Sequence, residues 1–444
     1  MKRYEAYKPT SVEWYPAIPQ GWEWRYLFQI AHEQTIKKPV DEMYPVMTLS
    51  YGEIKRKKNT EAGLVPSNYD SYQMLYKGNI VLRLIDLQND HTSLRTGLVK
   101  ETGIITSAYT CIMPTENPAY IQYLLHSYDT KKVFYGYGGG VRQSIGFKDI
   151  RHLRVPVPPR EEQEQIVRYL DWQVPKINRL IAAKRKQIAL LHEQHKRRIS
   201  EAVLHGNDDG CCQKDSGVEW IGMIPEHWSV IRCKYVFTER DERSIAGEEE
   251  HLSMSQKYGL VPDSKLDERR MLSETYVGGK ICYKNDLVLN RLKAHLGVFA
   301  LSPQKGVISP DYTVLVPNAE RILPTYGEAV LKSDLCRREL RIRVRGIIEG
   351  FWRLYTDDFN TIVIPLPTLK EQRQIMEYIG ALDEKSIVLK QNLEKEIVVL
   401  QDLRTRLISD VVTGQIDVRG IEVPKHESVD DVVAESEAEE LEVE

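Results

Sequence analysis

The sequence predicts an α+β protein built twice over: two mixed α+β domains, each followed by a long helix, with the two helices pairing as an antiparallel coiled-coil spacer. Three observations predict it. Residues 155–203 and 364–412 are copies of one stretch at a constant offset of 209, without an insertion. Upstream of each copy, Val12-Glu13-Trp14, Ile18-Pro19 and Trp22 recur as Val218-Glu219-Trp220, Ile224-Pro225 and Trp228 at an offset of 206. The period is therefore the size of a domain and not of a solenoid repeat. The chain divides into a first domain at 1–155, a helical region at 156–206, a second domain at 207–363, a second helical region at 364–414 and a C-terminal segment at 415–444 ending in a disordered acidic tail.

Inside the domains, Tyr76 to Arg83 matches Tyr283 to Asn290, and Gly103 to Thr106 matches Gly306 to Ser309. Short β-rich runs at 79–84, 109–113, 287–289 and 312–316 sit between Gly, Pro and Asn signals, which marks them as strands. Elsewhere the halves diverge in sequence and loop length, as expected when loops on a constant scaffold carry recognition. Each helical stretch opens with Pro-x-Pro and then Glu162-Gln163 or Glu371-Gln372, placing acidic residues in the first turn. Leu382, Leu389, Leu393, Leu400, Leu403 and Leu407 follow the 3/4 spacing of a coiled-coil seam; Ile177, Ile181, Ile188 and Leu191 do so less cleanly in the first copy. Pro175 is expected to kink or break the first helix, leaving a short piece from Glu161 and a longer one from Lys176. About 40 helical residues span roughly 60 Å, longer than a small domain is wide.

Composition excludes several classes. With 42% hydrophobic and 28% charged residues, and no long apolar run, there is no sign of a membrane span or secretory leader, and the expected location is cytoplasmic. The six cysteines form no CxxC pair, which argues against structural zinc. From Glu427 onward the tail carries nine acidic and no basic residues; removing them from the whole-chain charge of −3 leaves residues 1–426 at +6. The folded part is mildly basic, and the tail has the composition of a solvated, disordered segment.

Catalytic candidates are weak. Asn117-Pro118-Ala119-Tyr120 is close to the Asn-Pro-Pro-Tyr of amino-methyltransferases, but a capped helix start explains it better. Asp41 with Glu53-Ile54-Lys55 is reminiscent of a metal-dependent nuclease, yet the motif is short and unmatched in the other half. Gly138-Gly139-Gly140 lacks the Lys-Ser/Thr of a phosphate loop. Basic and polar residues in the variable regions make a stronger case for DNA: Lys55, Arg56, Lys57, Lys58, Arg83, Gln88, Arg95 and Arg142 in the first half, and Asn290, Arg291, Lys293, His295, Arg343, Arg345 and Arg353 in the second. Lys and Arg neutralise phosphates, while Arg, Asn and Gln read base edges. Arg341, Arg343 and Arg345 alternate as on a strand with one cationic face.

The paired Val-Glu-Trp, Ile-Pro and Trp markers, the Pro-x-Pro and Glu-Gln helix openings, and Ile199-Ser200 with Gly206 and Ile408-Ser409 with Gly414 together resemble the specificity subunit of type I restriction-modification systems. The resemblance covers nearly the whole chain except the tail. It implies two target recognition domains, each reading half of a split, asymmetric site in double-stranded DNA, with the helices as a ruler. It also implies docking of methyltransferase subunits, two per chain, and of restriction subunits. The chain itself is then not an enzyme and binds no metal or cofactor; S-adenosylmethionine, ATP and Mg belong to the partners. A nuclease using Asp41, Glu53 and Lys55, or a scaffold without a DNA role, are the alternatives.

Overall fold

The computed structural model describes residues 2–39, 42–50, 52–57, 69–87, 94–137, 144–207, 210–255, 258–265, 276–346 and 352–424. The chain forms two compact units, one of Met1–Arg185 with Glu394–Glu444 and one of Lys186–Leu393.

The first unit is organised on an antiparallel sheet of β1 (Ala31–Gln34), β2 (Ile80–Leu82), β3 (Thr96–Leu98) and β4 (Thr110–Pro114), in the order β1-β4-β2-β3. Side chains alternate across a strand, and here both faces are covered. Ile80, Leu82 and Ile112 enter one core with Tyr120, Leu124 and Tyr128 of α1 (Pro118–Thr130). Val81 and Cys111 enter another with Met47, Leu49 and Ile54 from a hairpin of Met47–Ser50 and Glu53–Arg56. Helix α1 starts where Asn117 Oδ1 accepts the backbone N–H groups of Ala119 and Tyr120, at 3.0 and 3.3 Å. Pro118, which has no N–H to satisfy, stands in its first turn. The Asn-Pro-Ala-Tyr run is a helix cap.

A strand Arg154–Val157 then leads into the long helix α2 (Arg160–His205). Pro175 lies inside α2 and does not end it, so the expected division into two helices is corrected. Packing on both sides outweighs the one missing N–H: Ile166, Leu170, Ile177 and Ile181 are all buried in the same core, and Tyr123 donates to Asp171 at 2.7 Å, within a turn of the proline.

The second unit repeats the plan. Strands β5 (Phe237–Arg240), β6 (Leu287–Asn290), β7 (Phe299–Leu301) and β8 (Tyr312–Pro317) form a sheet in the order β5-β8-β6-β7, the same permutation as in the first. Leu287, Leu289 and Leu315 pack with Tyr326 and Val330 of α3 (Pro324–Lys332), while Val288 and Val314 face Leu252 and Leu260 of a hairpin. Helix α4 (Asp334–Arg343) follows, and Arg341 and Arg343 lie in it. The alternating-strand reading of this stretch is therefore corrected: Ser333 caps the helix, and Cys336 and Leu340, four apart, bury one face of it.

The second long helix, α5 (Leu369–Val412), is 44 residues long, against 46 for α2. Within the first unit, Arg404 donates to Asn178 at 2.7 Å and Lys184 pairs with Glu396 at 2.7 Å. Numbering rises along α2 as it falls along α5, so the segments are antiparallel. Within the second unit, His195 meets Asp383 at 2.8 Å. Ile177, Ile181 and Leu407 are buried, and Ile188, Leu191, Leu382, Leu393 and Leu400 are half-buried along the seam. Leu389 and Leu403 stand 42% and 48% exposed and are not seam residues. The run Ile387-Val388-Leu389 offered several apolar registers; the helix turns Ser386 inward and leaves the three exposed.

In each unit the repeated motifs meet one another. Trp22, 1% exposed, donates its indole N–H to Glu162 at 3.1 Å, and Trp228, 2% exposed, donates to Glu371 at 3.1 Å. Gln163 and Gln372 bond the carbonyls of Pro158 and Pro367, at 2.9 and 3.0 Å. The helix ends close the knot. Gly414 (φ +72) leaves no room for a side chain, since a Cβ there would lie 2.4 Å from Pro19. Gly206 (φ +83) also lies over its tryptophan, Trp228, where a Cβ would fit at 3.4 Å, so there the left-handed backbone and not the space favours glycine. Each globule thus holds the start of its own helix and the end of the other. The first part of the C-terminal segment is folded: Val418 is fully buried, and Gln165 donates to the carbonyls of Val418 and Ile421 at 3.0 and 2.7 Å. The acidic tail beyond 424 lies outside the described residues.

Candidate nucleic-acid interface

In the second unit the end of β6 gathers most of the predicted basic residues. Arg291 follows Asn290 at the strand end, and its carbonyl accepts the Leu354 N–H at 3.0 Å. Beside it, Arg345 and Arg353 exchange two backbone hydrogen bonds of 2.8 Å. Asn290, Arg291, Arg345 and Arg353 therefore share one neighbourhood, with Lys293 in the next turn. Arg291 is pre-aimed: its Nε donates to Thr313 Oγ1 at 2.8 Å, and Nη2 lies 3.6 Å from Glu239. Glu239 also takes the ammonium of Lys280, a side chain only 2% exposed, at 3.1 Å. That ammonium in turn lies 3.2 Å from Asp241 and holds its carboxyl below the usual range. Asn290 donates to Tyr312 Oη at 3.4 Å, a long bond that a base edge can replace.

Arg343 and Arg345 are committed to Glu339 and Asp358. The guanidinium of Arg345 is exposed, and a pair of that kind is worth ~0–1 kcal/mol, so a phosphate can compete for it, whereas the Arg343–Glu339 pair is partly buried. Lys293 and Arg353 are exposed. His295 lies in a short 3₁₀ turn at Ala294–Leu296.

The first unit has the counterpart site. Arg83 N donates to the Arg95 carbonyl at 2.8 Å, and Ile145 N donates to the Leu84 carbonyl at 2.9 Å, repeating the Leu354 to Arg291 bond. Arg95, predicted to bind DNA, is corrected: it is fully buried, and its guanidinium donates to the carbonyls of Arg83 and Ile85 at 3.0 and 2.9 Å and to Tyr135 Oη at 3.2 Å. Its donors are spent on holding the strand end. Lys55, Arg56 and Lys57 sit on the hairpin covering the other face of the sheet. There Lys55 pairs with Glu53 at 3.0 Å, and Arg56 grips Glu101, which holds that carboxyl below its usual range. Lys58, Gln88 and Arg142 lie outside the described residues.

The nuclease candidates do not assemble among the described residues. Asp41 lies outside them, Glu53 is exposed and neutralised by Lys55, and no group of His, Cys, Asp and Glu able to hold a metal is found. No described helix is long and apolar enough to cross a membrane. Sequence reasoning missed Glu239, Thr313 and Tyr312, which orient Arg291 and Asn290. The match of Tyr109-Thr110 with Tyr312-Thr313, three residues beyond the Gly103–Thr106 and Gly306–Ser309 match, was the available signal for two of them.

Two like domains, each with a basic strand end braced by its own framework, define a duplicated binding protein. The family described as Type I restriction modification DNA specificity domain matches residues 65–190 and 234–398. The chain belongs to this family and is the specificity subunit, the non-catalytic DNA-recognition member, of a type I restriction-modification system. It is 24% identical to the chain named as the MjaX specificity subunit of Methanocaldococcus jannaschii, over 94% of this chain and 97% of that one. It is also 24% identical to the MjaVIII specificity subunit of the same organism, over 62% and 64%. Among solved structures it is similar to a chain described under "Structural basis underlying complex assembly and conformational transition of the type I R-M system", with a TM-score of 0.58, 16% identity, and coverage of 90% and 99%.

Proposed function

We propose that this specificity subunit reads a bipartite, asymmetric site in double-stranded DNA, one half through each domain, and docks two methyltransferase subunits, joined by restriction subunits. The observation that carries this reading is the recurrence of one site in two divergent settings. The strand end after β2 and the strand end after β6 have the same backbone bracing, yet carry Arg83 in one and Asn290 with Arg291 in the other. Equal scaffolds with unequal side chains give two readers with different base preferences.

On this reading Lys293, Arg345 and Arg353 contact phosphates, while Asn290 and Arg291 face base edges. In the first domain Arg83 reads and Lys55, Arg56 and Lys57 assist from the hairpin. The long helices act as the spacer: 44 and 46 residues correspond to about 65–70 Å, ample to separate half-sites one helical turn, roughly 34 Å, apart. S-adenosylmethionine, ATP and Mg act in the partners, and the complex works in the cytoplasm.

Co-expression with the cognate methyltransferase and mapping of methylated adenines tests the reading. A split motif with two different halves is expected. A contiguous or symmetric motif overturns it.

A further inference from the structure

One cluster in the second unit lies outside the residues proposed to contact DNA. Cys211 Sγ lies 3.8 Å from His227 Nδ1, and His227 Nε2 lies 2.5 Å from Glu371 Oε1. The first repeat has no such chain: there the matching carboxylate, Glu162, takes the hydroxyl of Tyr4. From this geometry we infer that Cys211, His227 and Glu371 form a thiol-activating triad, making Cys211 a modification site for low-molecular-weight disulfides.

The roles follow from the bonds. Glu371 is an anchored anion. Its Oε2 accepts the backbone N–H and the hydroxyl of Thr368, at 3.0 and 2.7 Å, in a capping box at the start of α5, and its Oε1 accepts from Trp228 and His227. Burial pushes this carboxyl up, but the hydrogen bonds from His227, Thr368 and Trp228 outweigh burial and hold it at about 2. An ionised carboxylate on Nε2 requires the proton at that nitrogen, which leaves Nδ1 as a lone pair facing the thiol. His227 Nδ1 then removes the Cys211 proton. The thiolate attacks one sulfur of the disulfide; the new S–S bond forms as the old one breaks, and the departing thiolate takes the proton from His227.

Access narrows the choice to two thiols. Cys211 is half-buried and Cys212 exposed, whereas Cys111, Cys233, Cys282 and Cys336 are buried. Burial alone pushes the Cys111 thiol up to about 12. A reagent in solution therefore chooses between two adjacent thiols, of which Cys211 is the one paired with the imidazole.

The test uses the full chain carrying Cys212→Ser, or Cys211→Ser for comparison, treated with oxidised glutathione at pH 6.5 and followed by intact mass. An ordinary thiol is about 1% ionised there, and the triad raises the rate at Cys211 about tenfold or more over that at Cys212. His227→Asn in the Cys212→Ser background removes the advantage. Glu371→Gln, which keeps an acceptor for Trp228, lowers it while the circular dichroism spectrum is retained. Equal rates at Cys211 and Cys212, or a Cys211 rate indifferent to His227→Asn in folded protein, overturn the proposal.

Discussion

Glu371 ties the second globule to the start of α5, and its titration gives the tie a measurable signature. Its folded carboxyl is held at about 2 against an ordinary 4.5, the hydrogen bonds from His227, Thr368 and Trp228 prevailing over burial. A carboxylate depressed in the folded state adds stability above its unfolded pKa, and that stability is lost as pH falls through the folded value. The window therefore runs from about pH 4.5 down to about pH 2. The full depression corresponds to about 3 kcal/mol, of which about 2 kcal/mol is gone by pH 3. The side chain is 26% exposed, so solvent screening trims these figures only modestly. Urea denaturation of the wild type and of Glu371→Gln, at pH 6 and at pH 3, isolates the effect. The stability gap between the two proteins should shrink by about 2 kcal/mol on going to pH 3. A gap that stays constant across that range refutes the assignment of Glu371 as an ionised anchor.

Arg95→Ala should destabilise the first unit by about 3 kcal/mol, because it strands buried carbonyls, whereas Arg353→Ala should shift stability by less than about 0.5 kcal/mol and reduce the salt slope of DNA binding by about one unit. Thermal unfolding and binding titrations across salt concentrations check both. Leu393→Asp should weaken helix pairing, read as lost helical signal on heating, while Leu389→Asp should be tolerated because that side chain already faces water. Deleting residues 188–194 and 386–392 together keeps the heptad phase and removes about 10 Å of helix. The gap between methylated half-sites should then shorten by about three base pairs at 3.4 Å each.

The duplicated plan was legible because it rests on residues that touch one another. Trp22, Glu162 and Gly414 were visible as separate repeated markers, and they repeat because they form one knot. The helix seam was legible from the spacing of Ile177, Ile181, Leu393 and Leu400, and its antiparallel sense from the need for the chain after Gly206 to return along the first helix. What failed was local reasoning where tertiary packing decides. Pro175 breaks an isolated helix but not one packed on both sides of the proline. Leu389 fits an apolar spacing, yet the seam took Ser386. Arg343 and Arg345 alternate in sequence but belong to a helix and to the bridge beyond it. Arg95 could not be told from a DNA-reading arginine, because the carbonyls that claim it, those of Arg83 and Ile85, carry no mark in the side-chain sequence. Glu239, which helps to aim Arg291, lies 52 positions before it in the chain and becomes its neighbour only once the sheet is formed.

The most direct test of two independent readers on one chain is to replace residues 207–363 with the matching domain of another family member and map the methylated sequence. The half-site read by the first domain and the gap should stay as they were, while the other half-site alone changes. A motif that changes in both halves, or in neither, would contradict it.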